Sequence, residues 1–387
     1  MGRRAIDTSV TPRNAKVLFE RLFPGPESNS PATMTIFSSP LSVIALAISL
    51  TPAGVFAQAP ATQGRPAVAG KAASKAAVWT PPRLANGKPD LSGYWSNNTV
   101  TPLERPAALA SKEFLSDEEA KVLEFNSVRD DDARAKGVRG GKGGPAGVGD
   151  YNAVFLEDGK WALPNKRSSI ITDPKDGKLP PMTPETQKKF AADQEYHKLH
   201  PHDGPEDMTT IERCITWITS GPPLLPSFYN NNYHIVQTRD HLSIVAEMVH
   251  DVRIIPLDGR PRENLPQWTG DSRGRWEGDT LVVETINFNG RRSWFGIPMT
   301  EGGGGKRPDQ KMKVTERFTR TAPDILLYQF TVDDPGIYTK PWSGEIPMRA
   351  FPGPVYEYAC HEGNYGMPLI LSGSRAEEQA AAKKGSK

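Results

Sequence analysis

The sequence predicts a mainly β protein, an antiparallel meander closing into a barrel behind a helix- and loop-rich N-terminal half. Three observations carry that expectation. From Tyr233 onward, short apolar runs alternate with period two, the mark of half-buried strands. DGRP, NGRR, GGGG, DDPG and FPGP divide those runs, and such compositions make turns. The 36 prolines and 35 glycines among 387 residues fit a chain with many turns between strands.

The expected strands are 233–238, 242–256, 275–288, 312–320, 325–333, 342–349 and 355–361. Sequential strands with short connections pair with their neighbours, and enough of them close into a lipocalin-like barrel with a cavity; a two-sheet β-sandwich is the alternative. Upstream, ANGKPDLSGYW at 85–95 is a turn-rich lead into an aromatic residue. Residues 111–128 place Asp117, Glu118 and Glu119 ahead of Val122, Leu123 and Phe125, the pattern of a capped amphipathic helix. The charged, glycine-rich stretch 129–149 reads as a loop. Residues 167–185 read as a short strand, a turn and the proline start of a helix reaching about Tyr196. A boundary near Pro205 divides a wrapping region, 85–205, from a barrel core, 206–375, and 376–387 is expected to be a polar tail.

Residues 34–57, MTIFSSPLSVIALAISLTPAGVFA, have the layout of a signal peptide, with small residues at the end and cleavage expected near Gln58 or Pro60. The apolar centre, 41–50, is too short for a bilayer that needs about twenty residues, so no stable membrane span is expected after cleavage. No Lys or Arg lies between Met34 and the apolar run, and the nearest upstream positive charge is Arg21. Residues 1–33 therefore read as an upstream extension from a misassigned start, and 58–84 as a disordered spacer. The destination is the periplasm or the medium. With 47 basic and 45 acidic residues the formal charge is +2, which predicts no nucleic-acid partner.

Cys214 and Cys360 are the two cysteines, and an even count in an exported chain favours a disulfide. Such a bridge contributes about 2–4 kcal/mol. Two buried free thiols, or a catalytic or metal-binding thiol, are the other readings. His361 follows Cys360 directly, and adjacent residues on a strand face opposite ways, which weakens a Cys/His dyad.

GKPDLSGYW at 87–95, YNNNYHIVQT at 229–238, RIIPLDGRP at 253–261, GDSRGRWEGDTLVVET at 270–285, ERFTR at 316–320 and EYACHEGNYG at 357–366 form a specific string. Over residue 87 to the end, the chain resembles a large uncharacterised family of secreted bacterial proteins. The resemblance implies export and a shared fold, and it brings no reaction to transfer.

Read as a single strand, 242–254 puts His250 on the apolar face with Leu242, Ile244, Ala246 and Met248, and puts Glu247, Asp251 and Arg253 on the other. An imidazole in an apolar cavity suits general acid or base work, although a core histidine bonded to a backbone carbonyl gives the same pattern. His361, Glu362, Asn364 and Tyr365 are expected at a strand end, where they could move protons or position a polar ligand, or simply hold a turn. Glu316 shares a face with Val314 and Phe318 and is the more interesting carboxylate beside Arg317. Asp271, Arg273, Arg275, Glu277 and Asp279 read as a salt-bridged hairpin, with Arg273 a possible anion clamp. His197, His200 and His202 are the densest histidine group, weighed between a metal site and a solvated helix end; no metal is assigned. GGKGG at 140–144 and GGGG at 302–305 lack the context of a phosphate loop, and Ser220 in ITSGPP is a weak nucleophile signal.

Together these residues predict an exported, cofactor-free acid–base enzyme, a hydratase, lyase, isomerase or hydrolase, acting on a small, partly apolar molecule in the barrel. His250, His361, Glu247 and Glu362 are the catalytic candidates. Arg253, Trp276, Glu316, Tyr328, Trp342, Tyr356 and Tyr365 are the substrate-binding candidates. The alternative is a non-catalytic periplasmic small-molecule binding protein using the same cavity.

Overall fold

The structure, a computed structural model, describes residues 79–125, 161–200, 202–227, 230–263, 265–290 and 311–385. The upstream extension, the signal segment and most of the spacer, together with the 129–149 loop, lie outside the described residues.

Among the described residues, ten strands make one sheet: β1 (Gly93–Ser96), β2 (Ile171–Asp173), β3 (Asn232–Gln237), β4 (His241–Ala246), β5 (Val252–Pro256), β6 (Asp271–Glu277), β7 (Thr280–Ile286), β8 (Lys313–Ala322), β9 (Ile325–Asp333) and β10 (Trp342–Ala350). Nine of them follow the order β5-β4-β3-β1-β10-β9-β8-β7-β6 in a nearly closed antiparallel barrel, and β2 pairs with β10 beside β1. The meander is therefore two runs, β3 to β5 and β6 to β10, joined through β1. Across the remaining gap β5 and β6 meet through side chains. A Cβ on Gly274 of β6 would lie 2.5 Å from Leu257 Cδ2 and 3.1 Å from Ile255 Cγ2, so glycine there lets the two ends of the sheet approach.

Period-two alternation builds the interior. On β9 every second residue, Leu326, Tyr328, Phe330 and Val332, is buried, and Val314, Glu316 and Phe318 of β8 face the same way. Register places Phe318 opposite Tyr328, and Phe330 opposite both Glu316 and Gly344. Phe318, Tyr328, Phe330 and Trp342 then form a chain of rings with centroids 5.0, 5.5 and 5.6 Å apart. Each fully buried ring stabilises the fold by about 1.5–3 kcal/mol. Gly344 is required beside them, because a Cβ at that position would overlap the Phe330 ring.

Three helices among the described residues lie outside the barrel. In α1, residues 117–125, Ser116 and Glu119 form a capping box: Glu119 N–H donates to Ser116 Oγ at 3.2 Å and Ser116 N–H to Glu119 Oε2 at 2.8 Å. In α2 (Pro184–Leu199), Thr183 Oγ1 caps the Thr186 N–H and Pro184 opens the first turn, as the TPE sequence predicts. In α3 (Gly366–Gly385), only residues 367, 370, 371, 374 and 375 are even partly sheltered. The residues expected to form a polar tail therefore largely continue a helix.

Three further expectations change. The single strand expected over 242–256 is two, broken after Ala246. The strand expected over 275–288 is the β6–β7 hairpin, turned at Gly278, whose φ of 60° suits glycine. Residues 355–361 form no strand. Both edges of β10 are already occupied, one by β9 and the other by β1 and β2, so β10 offers no ladder to the segment that follows it.

Candidate functional site

At one end of the barrel the chain leaves β4 and returns in β5 through residues 247–251. Val249 and His250 have φ of 63° and 44°, in the left-handed region. That conformation is strained for non-glycine residues and most of all for a β-branched one, at about 1–3 kcal/mol each. The turn also reverses the strand phase. On β4 the buried residues are the even-numbered Leu242, Ile244 and Ala246, whereas on β5 Arg253 and Ile255 are buried and Val252 and Ile254 exposed. His250 therefore leaves the apolar face assigned to it and is exposed, while Arg253 enters the barrel.

The strained turn is held on both sides. Glu247 is buried, and its Oε2 accepts from Asn232 Nδ2 at 2.7 Å. Met248 and Val249 are buried against Trp217, Tyr358 and Cys360. His250 Nδ1 lies 2.9 Å from the Tyr358 carbonyl oxygen. A carbonyl only accepts, so Nδ1 carries a proton, and Nε2 is the nitrogen left to exchange one.

Tyr358 belongs to the segment after β10 that the Cys214–Cys360 disulfide fastens to the same barrel end, with Cα atoms 5.6 Å apart. The bridge joins a loop before β3 to a turn beyond β10, instead of to a last strand. Cys214 is a third non-glycine residue here with positive φ, at 54°. Asn364 Nδ2 donates to the Glu212 carbonyl at 3.2 Å and lies 3.3 Å from Cys214 Sγ. His361, Glu362 and Tyr365 are exposed in this turn. The two histidine segments thus come together, His361 lying three residues beyond the carbonyl that orients His250, and both rings lie on the outside of the barrel.

The other candidates separate into two groups. Arg253, Glu316 and Tyr328 converge inside. Arg253 Nη1 and Nη2 donate to Glu316 Oε1 and Oε2 at 3.2 and 2.5 Å, Tyr328 Oη donates to Oε1 at 2.9 Å, and the Leu224 N–H donates to Tyr328 Oη at 2.9 Å. Arg253 is 4% exposed and Glu316 and Tyr328 are fully buried. Burial works against the Arg253 charge, but the Glu316 carboxylate outweighs it and raises the guanidinium pKa. Burial, reinforced by the same carboxylate, pushes the Tyr328 phenol well above its usual range. Trp342 is fully buried and packed, Trp276 is half-buried under Lys88, and Tyr356 is 72% exposed, so the proposed binding aromatics do not share one surface.

No protein family, curated protein or solved structure matches this chain. The candidate site accordingly rests on its own geometry. Among the described residues, no group of three His, Cys, Asp or Glu side chains is placed to hold a metal ion. His200 stacks on Tyr196 and meets Asp203 Oδ2 at 2.7 Å, His202 meets Ser374 Oγ at 3.2 Å, and the His197 side chain lies outside the described residues. Within the hairpin Arg275 pairs with Glu277 and Arg273 with Asp271, while Glu277 also pairs with Arg317 of β8 and Asp279 reaches out of the hairpin to Arg83. Arg273 also donates to the carbonyls of Arg260, Pro261 and Ser272, so the possible anion clamp closes on its own chain.

Sequence reasoning missed the Tyr358 carbonyl, Asn232 and Trp217 as partners of the turn. The repeated residue types in EMVHD and YACHEGNY were visible, but their juxtaposition depends on the disulfide and on the phase reversal.

Proposed function

We propose that the chain is an exported, cofactor-free acid–base enzyme acting on a small, partly apolar organic molecule, with His250 Nε2 the proton-transferring atom at the barrel end. The observation that carries this reading is the ring's mounting: Nδ1 is fixed on a main-chain carbonyl while the ring is exposed on two consecutive left-handed residues. Backbone strain of this kind clusters at functional sites, and orienting one imidazole nitrogen is how the other is prepared for base chemistry. Trp217 and Tyr358 supply apolar surface against the preceding Met248 and Val249, and His361 and Glu362, in the turn that follows Tyr358, are the candidates for the complementary proton step. Export, with the periplasm as destination, is supported by the signal-like segment and agrees with the disulfide.

A molecule that co-purifies with the secreted chain, or stabilises it against heat, defines the substrate to assay by mass spectrometry. His250→Ala should lower turnover by about 10²–10⁴ with an unchanged circular dichroism spectrum. Turnover equal to wild type in the folded variant refutes the assignment. The second reading, a lipocalin-like binding protein without catalysis, is favoured by the polar group inside the barrel around Arg253; it predicts no turnover in wild type and affinity within a few fold in His250→Ala.

A further inference from the structure

Residues 219–225, TSGPPLL, run from the end of a short 3-10 turn (Ile218–Ser220) towards β3, irregular from Gly221 onward, and all seven are buried. Buried irregular backbone must find hydrogen-bond partners. Pro222 and Pro223 reduce that demand by lacking an N–H. The Ser220 N–H donates to the Trp217 carbonyl at 3.1 Å, and three further main-chain groups are read by side chains of the barrel and of the segment following β1. Tyr328 Oη accepts the Leu224 N–H at 2.9 Å, Asn97 Nδ2 donates to the Leu224 carbonyl at 3.1 Å, and Tyr233 Oη donates to the Thr219 carbonyl at 3.0 Å. Gly221, at φ 64°, lies against the ion pair, where a Cβ would stand 2.5 Å from Leu224 Cδ2 and 3.1 Å from Arg253 Nη1. Around this segment Arg253 Nε and Asn97 Oδ1, and within it Thr219 Oγ1, are buried without a hydrogen-bond partner among the described residues.

A sheet normally holds a chain segment through main-chain ladders. Here side-chain groups of fixed position read two carbonyls and one amide of an apolar segment, leave further polar capacity unused, and press on a glycine–proline bend. That is the recognition pattern of a receptor for a short peptide. We propose that this barrel end is a binding site for a short, apolar, proline-containing peptide, and that residues 219–225 are its resident occupant within the same chain. The site is independent of the proton chemistry assigned to His250, since it uses the inner faces of β3, β5 and β9.

The test uses a fluorescein-labelled TSGPPLL peptide and fluorescence anisotropy with the full exported chain. Gly221→Ala should loosen the resident segment, because the new Cβ meets Leu224 and Arg253 and the backbone there is left-handed. The variant should bind the peptide at least about tenfold tighter than wild type, and a TSGAALL peptide at least about fivefold more weakly. Leu224→Ala, which removes apolar contact without touching the bend, serves in the same assay if Gly221→Ala does not give a cooperative melt. Binding no tighter than wild type in a folded variant overturns the proposal, as does equal binding of the proline-free peptide. Turnover lost in His250→Ala bears only on the catalytic reading, so the two can fail separately.

Discussion

Replacing Glu316 by Gln keeps the shape of the side chain and removes the charge that faces Arg253. In wild type the guanidinium and carboxylate meet through two bonds at 3.2 and 2.5 Å with almost no solvent contact. The attraction between two such charges largely offsets their desolvation, so the intact pair contributes little net stability. A single replacement is different, because Arg253 stays buried and charged with only neutral acceptors. Removing one partner of a buried pair costs about 3–5 kcal/mol, and at about 1–2 °C per kcal/mol for a chain of this size the melting temperature should fall by about 3–10 °C. Arg253→Met with Glu316→Leu removes both charges and should recover most of that loss, although Tyr328 then gives up its acceptor. Differential scanning calorimetry of the two single variants and the double variant decides the matter. A shift below about 2 °C for Glu316→Gln, or a double variant as unstable as the worse single one, would refute the reasoning.

Removing the bridge by the paired change Cys214→Ser with Cys360→Ser should cost about 2–4 kcal/mol in urea unfolding, and in hydrogen exchange the loss of protection should be greatest at 247–250 and 358–365, which the bridge holds together. At α1, partial burial works to raise the Glu119 pKa, but the Lys112 ion pair and the Ser116 N–H hold it below its ordinary value of 4.5. A depressed carboxylate contributes stability that is fully present above the unfolded value and is lost as pH falls through the lower folded value. Exchange protection of 117–125 should therefore hold at pH 5 and decline below about pH 4. Ser116→Ala should weaken the helix by about 1 kcal/mol across the whole range, and protection unchanged by either perturbation would contradict the cap.

Much of the barrel is legible because half-buried strands display their pattern directly. Residues 325–333 alternate without interruption and form β9 with those bounds. The same alternation exposes Glu316 as an inward carboxylate between Val314 and Phe318. Alternation also misleads where the backbone changes phase. Little in the residue types of EMVHD announces that Val249 and His250 adopt positive φ, since histidine is only enriched there and a β-branched valine is among the residues least suited to it. That one turn exchanges the positions of His250 and Arg253. Residues 355–361 alternate well enough for a strand, but strand formation needs a free partner edge, and pairing is not local information. The insertion of β1 between β3 and β10 escapes a sequential reading for the same reason.

The nine-strand ring has a parity. From β5 round to β6 the direction reverses eight times, so the two strands that face each other across the gap point the same way. A tight hairpin cannot join such a pair; parallel neighbours need a crossover of about a dozen or more residues, and residues 257–270 serve as one. An even ring could close with a ladder of the same antiparallel kind, whereas this one meets at Gly274, Ile255 and Leu257. The gap is therefore a seam of the described wall made by side-chain packing instead of an antiparallel ladder, and a cut within 257–270 would sever no antiparallel rung of the barrel.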